Sequence, residues 1–273
     1  MPELPEVETY ARDLAAVLPG RVLRGATVDW PNQLPRNGPA ELAGRIGGQR
    51  FASVGRRGKY LVLELSCDWL LIHLKMSGRL QVVPAGTPVD RHAHVVFQLD
   101  RGDELRFHDP RRFGRVYLLA DPSGVLGALG PEPLDPAFDH RQFRAALGGR
   151  RGRLKPRLLD QRFVAGLGNI YTDESLWRAR LHPLQPVERL AGADADRLLD
   201  AIRQVLTEAI AARGTSLSAG GFRDLTGNPG EMQGTLAVFG RTGQPCPACG
   251  GPVQRLAVGG RGTHVCPRCQ PLR

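Results

Sequence analysis

Four of the five cysteines fall at the end of the chain as two Cys-Pro-x-Cys pairs, Cys246 with Cys249 and Cys266 with Cys269. Each pair can reach one ion across a tight turn, and four thiolates close a tetrahedron suited to a single Zn2+. Four protein ligands leave no open position for water, so the expected zinc is structural and takes no part in chemistry. Between the pairs, Val-Gln-Arg-Leu-Ala-Val, Gly259-Gly260 and Arg-Gly-Thr-His-Val read as a β-hairpin with a Gly-Gly turn and Arg261 at its tip. Redox-active or incidental cysteines would leave that ribbon spacing unexplained.

A second constellation lies at the start, Met-Pro-Glu-Leu-Pro-Glu. Small Pro2 favours removal of Met1, which would expose a secondary amine of pKa roughly 8, partly neutral and nucleophilic near pH 7. Glu3, tethered beside it, is the natural proton donor or shuttle, and Glu6 can support the pair. Without the proline, the two glutamates read simply as residues that favour a helix N-terminus. The chain also holds 34 Arg but only three Lys, at 59, 75 and 155. A surviving Lys suggests a site that needs a titratable amine or a compact ammonium, which guanidinium cannot supply.

The elements that must carry these groups follow from periodicity. Leu4, Val7, Ala11, Leu14 and Leu18 share one face of a short helix with Pro5 in its first turn. From about 21 to 120, runs such as KYLVLEL, WLLIHL, HVVFQL and GRVYLL alternate with Gly, Pro and Asp, the pattern of an antiparallel sandwich or barrel. The Pro-rich GPEPLDPAFD at 130–139 breaks this pattern, and helices are expected near 140–147, 155–163, 169–180 and 194–213. Residues 214–235, rich in Gly, Ser, Thr and Asn, read as a long loop of functional character. Cys67 is expected to be buried or half-buried, and His73, His94, His108, His140, His182 and His264 to be structural.

A formal charge of +10 points to a polyanionic partner, nucleic acid or an acidic membrane surface. No run approaches the ~18 apolar residues of a membrane span, and the acidic first residues do not resemble a signal peptide, so a cytoplasmic chain is expected. From 241 onward there are five Arg and no acidic residue.

Read in order, PELPEVET, RRGKYL around Lys59, HLKMSG at 73–78, DPRRFG at 109–114, LGPEP at 129–133, GLGNIY at 166–171 and the cysteine hairpin closely resemble the formamidopyrimidine-DNA glycosylases. The resemblance implies an α+β chain: an N-terminal antiparallel β-sandwich with a leading helix (1–133), a helix-two-turn-helix region with a lesion-side loop (134–235) and a zinc finger (236–273). It implies a bifunctional glycosylase and AP lyase of base excision repair, a bacterial, nucleoid-associated monomer that removes oxidised purines from duplex DNA. On this reading Pro2 attacks C1′, Glu3, Lys59 and Arg261 assist, and β,δ-elimination follows. Met76, Arg111 and Phe113 match the trio that fills the hole left by a flipped base. His92, Arg111, Arg150, Asn169 and Arg261 match positions that grip the DNA backbone. Judged alone Met76 and Phe113 would be core residues, but each sits in a polar, Gly-containing turn that favours an exposed wedge. Lys155, at Lys-Pro, reads either as a contact to DNA or the lesion or as a solvated charge in a basic run. Lys75 departs from the family pattern, standing where a small residue such as Gly is expected. An endonuclease VIII-like activity on oxidised pyrimidines, or a zinc-ribbon DNA-binding protein without catalysis, are the alternatives; Leu4 favours the purine enzymes over the former, and the N-terminal Pro-Glu is unexplained by the latter.

Overall fold

Glu3 and Glu6 have the spacing of a capping box and form one: the Glu3 N–H donates to Glu6 Oε2 at 2.7 Å, and Pro5 occupies the first turn of helix α1 (Leu4–Val17). A computed structural model describes residues 2–217 and 221–272. Removal of Met1, and residues 218–220 of the long loop, lie outside the described residues.

Eight strands follow: β1 (Leu23–Val28), then helix α2 (Pro39–Ile46), β2 (Phe51–Arg57), β3 (Tyr60–Leu65), β4 (Trp69–His73), β5 (Arg79–Pro84), β6 (Ala93–Leu99), β7 (Asp103–His108) and β8 (Arg115–Leu119). They pair antiparallel as β1-β6-β7-β5 and β2-β3-β4-β8. Alternation decides which face is buried; β3 turns Leu61, Leu63 and Leu65 inward. Phe51, Leu63, Leu70 and Ile72 of one sheet and Leu23, Val95, Phe97, Leu105 and Phe107 of the other join one core with Val7, Tyr10 and Leu14 of α1. This is the expected sandwich. Strands β1 and β5 and helix α2 are additional to the runs legible in the sequence.

The helical part comprises α3 (Ser123–Leu126), α4 (His140–Leu147), α5 (Leu154–Leu159), α6 (Asn169–Arg178) and α7 (Gly192–Ala211), and the hairpin is β9 (Gln254–Val258) with β10 (Arg261–Val265). Asp139 caps α4 by accepting from the Gln142 N–H at 2.8 Å. Gly259 and Gly260 have φ of 57° and 73°, the paired left-handed residues of a two-residue turn.

By contacts the chain divides into two compact units, Met1–Ala128 with Ile210–Gln233, and Leu129–Ala209 with Gly234–Arg273. This differs from a division into three consecutive domains, because the long loop folds back on α1. Thr215 N–H donates to Glu6 Oε1 at 2.8 Å, Tyr10 Oη donates to the Arg223 carbonyl at 2.6 Å, and Arg213 bridges Asp13 and Asp224, each at 2.7 Å. The Asp224 carboxylate accepts from the backbone N–H of Thr226 and Asn228, so this part of the loop is ordered by an Asx-type turn. Cys67 is exposed, contrary to expectation, because it lies in the β3–β4 turn closed by Leu65 N–H to the Asp68 carbonyl.

Candidate active site

The first unit carries the N-terminal group. Pro2 is buried, and Glu3 and Glu6 are each 1% exposed. Glu6 uses one carboxylate oxygen for the Glu3 N–H and the other for the Thr215 N–H, so it fixes both the start of the chain and the returning loop. Gly214 has φ +86°, and a Cβ there would lie 2.8 Å from Glu6 Cγ. Glu6 thus fastens the first residues of the chain to the returning loop, while Glu3 also serves the helix as its cap.

Lys59 follows Gly58 in the β2–β3 turn and is buried. Across the sheet, Tyr60, His73 and Arg115 stand directly opposite one another on β3, β4 and β8. The Tyr60 ring meets the His73 ring edge-on at 4.6 Å. Burial, then the charges of Lys75 and Lys59, push the His73 pKa down to about 3, so His73 is a neutral acceptor. It takes the Lys75 N–H on Nδ1 at 3.0 Å. Lys75 itself has φ +52°, which explains why a residue without Cβ would suit this position.

Met76 and Phe113 are 44% and 46% exposed, as their turns suggested. Both loops hang from Asp109, which is fully buried: it accepts from Ser77 Oγ, from Gly114 N–H at 2.7 Å and from Gln33 Nε2 at 3.2 Å. The Arg111 N–H in turn donates to Ser77 Oγ at 3.3 Å, and its guanidinium lies 4.9 Å from the centre of the Phe113 ring. The trio therefore stands together on one scaffold. Phe107 sits beneath it, where a Cβ at Gly114 would approach Phe107 Cζ to 2.3 Å and one at Gly78 would approach Cε2 to 2.7 Å. His92 is half-buried, edge-on to His108 at 5.5 Å.

In the second unit Arg150 and Arg261 are exposed, Arg261 at the hairpin tip. Asn169 opens α6 and its Nδ2 donates to the Gly262 carbonyl at 2.9 Å. Lys155 corrects both sequence readings: it is neither solvated nor presented to a ligand. It is fully buried and ion-paired with Asp173 at 2.6 Å, and its Nζ also reaches the Gly262 carbonyl at 3.2 Å. A buried ammonium demands such a partner, and Asp173 is available because α5, which carries Lys155, packs on α6. Asp173 Oδ2 accepts the His264 N–H at 2.8 Å, and Glu174 accepts from Ala237, Val238 and Phe239 at 2.8, 3.0 and 2.8 Å. Burial raises the Glu174 pKa against these three donors.

The ligand atoms of Cys246, Cys249, Cys266 and Cys269 lie within 4.8 Å of one another. Tetrahedral zinc with bonds of about 2.3 Å spaces its sulfurs about 3.8 Å apart, and the Cys246–Cys269 and Cys249–Cys266 sulfurs are 3.8 and 3.4 Å apart. Trp177 Nε1 points at Cys246 Sγ from 3.3 Å, a donor suited to a thiolate. The donor set fits one structural zinc.

Asp109, Asp173 and Glu174 were not singled out from sequence. Asp109 precedes Pro110 in a turn motif, a signal for a carboxylate that organises its own loop; the other two are helix residues that give no local sign of burial. Among the described residues no helix is long and apolar enough to cross a membrane.

Family comparisons match residues 1–116 to the formamidopyrimidine-DNA glycosylase N-terminal domain, 129–220 to its H2TH domain, and 243–272 to a zinc finger found in FPG and IleRS. The chain is 47% identical over 277 residues to the formamidopyrimidine-DNA glycosylase of Symbiobacterium thermophilum, covering 100% of this chain and 90% of the relative. It is 46% identical over 275 residues to that of Herpetosiphon aurantiacus, covering 99% and 100%. Among solved structures, the MutM (Fpg) protein of Thermus thermophilus matches with TM-score 0.90 and 43% identity over 100% of both chains. A Lactococcus lactis Fpg in complex with DNA containing N7-benzyl-Fapy-dG matches with TM-score 0.91 and 37% identity over 99% and 100%.

Proposed function

Because the chain belongs to the formamidopyrimidine-DNA glycosylase family, we propose that it excises oxidised purines, 8-oxoguanine and formamidopyrimidines, from damaged duplex DNA and then cleaves the strand as an AP lyase. The observation that carries this reading is the Glu3–Glu6 box, which holds the start of the chain in a fixed, buried frame. With Met1 removed, the Pro2 nitrogen is a secondary amine of pKa roughly 8. Its lone pair forms a bond to C1′ of the damaged nucleotide while the glycosidic bond breaks, and the base departs with a proton delivered through Glu3. The Pro2 nitrogen loses its proton, the C1′–O4′ bond breaks with a proton taken up by O4′, and the opened sugar is left as an iminium at C1′. This withdraws electrons from C2′, a proton leaves there, and the 3′ phosphate departs, after which a second elimination releases the 5′ phosphate. Lys59 serves as a phosphate contact and proton donor, Arg261 grips phosphate and assists the second elimination, and Glu6 supports Glu3. Met76, Arg111 and Phe113 occupy the gap left by the flipped nucleotide and face the orphaned base. His92, Arg150 and Asn169 hold backbone phosphates. The zinc holds the hairpin in shape.

The test is borohydride trapping on an 8-oxoguanine duplex. The mature protein forms a covalent adduct; a form retaining Met1, verified by mass spectrometry, binds the duplex but forms none, because its Pro2 nitrogen is an amide. Glu3→Gln slows base release and spares cleavage of a preformed abasic site. Trapping by the Met1-retained form at the mature rate would identify another nucleophile, with Lys59 the first suspect. Comparing 8-oxoguanine with thymine glycol in one duplex separates purine from pyrimidine specificity.

A further inference from the structure

Lys75 and Arg115 are two half-buried cations at one end of the β2-β3-β4-β8 sheet. Lys75 lies two residues past His73 on β4, and Arg115 stands directly across from His73 on β8. The Lys75 N–H donates to His73 Nδ1 and Arg115 is the cross-strand partner of His73, so both cations start from one end of the sheet, and burial followed by the Arg115 charge lowers the Lys75 pKa. Among the described residues neither has a carboxylate partner. His73 between them is neutral and already engaged by the Lys75 N–H, so it offers no compensation. Arg115 spends Nη1 on the carbonyls of Phe113 and Gly114, at 2.9 and 2.8 Å, and among the described residues the Nε and Nη2 edge of its fork has no acceptor. That edge matches the two oxygens of a phosphodiester, and the Lys ammonium suits the same group as a point charge. Exposed Met76 and Phe113 adjoin the pair, one on each loop.

We propose that Lys75 and Arg115 form a binding site for one backbone phosphate of the DNA strand that meets the Met76 and Phe113 loops. This site rests on the reading of the chain as a DNA enzyme and adds a contact to those the family resemblance assigns. It also gives a reason for a lysine in a left-handed position that a glycine fills without strain. A phosphate between the two cations replaces their mutual repulsion with two attractions.

The test measures binding of a duplex containing a tetrahydrofuran abasic analogue by anisotropy, with salt varied from about 50 to about 200 mM. Removing one phosphate contact lowers the slope of log K against log salt by about 0.9, equivalent to about eightfold weaker binding at ~0.1 M salt. Lys75→Gln is the main variant, since Gln meets the same backbone strain as Lys and keeps much of the half-buried stem, while among the described residues the ammonium it removes makes no hydrogen bond or ion pair. It is expected to show that loss, and Lys75→Arg to restore it. Lys75→Gly, which relieves the backbone strain, is expected to show the same loss while remaining folded. An unchanged slope and affinity in Lys75→Gln, with wild type binding and trapping normally, overturns this inference alone. Wild type that binds the duplex but forms no borohydride adduct overturns the enzymatic reading, and the slope comparison still decides the phosphate site. Wild type that fails to bind the duplex overturns both.

Discussion

Gly114→Ala tests whether the wedge loop is shaped by the ring beneath it. The new Cβ would lie 2.3 Å from Phe107 Cζ and 2.7 Å from Cε1, well inside van der Waals contact, while Phe107 is fully buried with Gly78 on its other side. The ring cannot retreat, because a Cβ at Gly78 would itself meet Cε2 at 2.7 Å, showing that the space on that side is already filled by the ring. Overpacking of this kind costs about 1–3 kcal/mol. For a unit of this size each kcal/mol lowers the melting temperature by roughly 2–4 °C, so a fall of roughly 2–12 °C is expected in thermal denaturation. The Gly114 N–H to Asp109 bond should weaken with it, loosening Phe113 and Arg111 and reducing affinity for the abasic-analogue duplex more than affinity for undamaged DNA. Phe107→Leu in the same chain opens the space, so the double variant should be more stable than the sum of the two single losses implies. A melting temperature for Gly114→Ala within a degree of wild type, or strict additivity in the cycle, would refute the packing argument.

His73 is neutral in the fold with a pKa of about 3 and would ionise near ~6.5 when unfolded, so its contribution to stability is complete above ~6.5 and is lost as pH falls towards 3. Between pH 7 and about 5 the loss is at most about 2 kcal/mol, seen as a drop in melting temperature that His73→Gln should reduce. Lys155→Met strands the Asp173 carboxylate and should cost about 3–5 kcal/mol in urea denaturation, with Asp173→Asn in the same chain recovering much of it. Cys246→Ser should release zinc, measured by metal analysis, and weaken DNA binding while the circular dichroism of the sandwich persists; full affinity in a verified metal-free protein would contradict a structural role for the ion.

Periodicity carried most of the fold. The helices expected near 140–147 and 169–180 appear as His140–Leu147 and Asn169–Arg178, since apolar spacing, helped in the first by the Asp139 cap, is a local property. Strand β1, Leu-Arg-Gly-Ala-Thr-Val, escaped because Arg24 and Gly25 dilute its alternation, and it is a strand only through its pairing with β6. The cysteine site was legible because its ligands are close in sequence. Lys155 was misread for the opposite reason: its partner Asp173 is far along the chain, and nothing in Leu-Lys-Pro-Arg reports a buried ion pair. Asp109 shows the intermediate case, its motif recognisable while its role as the common anchor of two loops required the loop at Ser77 to be brought beside it.

The neighbours Asp173 and Glu174 hold the C-terminal segment by four main-chain amides, those of Ala237, Val238, Phe239 and His264. Amides are the same whatever side chains they carry, so this grip places few demands on the identity of the residues it holds. A terminal module fastened in this way is free to diverge in sequence, or to be exchanged for another hairpin of similar backbone path, without redesign of the helix that receives it. It would also stay tethered at 237–239 during loss of its ion, which confines the damage of demetallation to the thiolate end and leaves a seat to which the refolding hairpin can return.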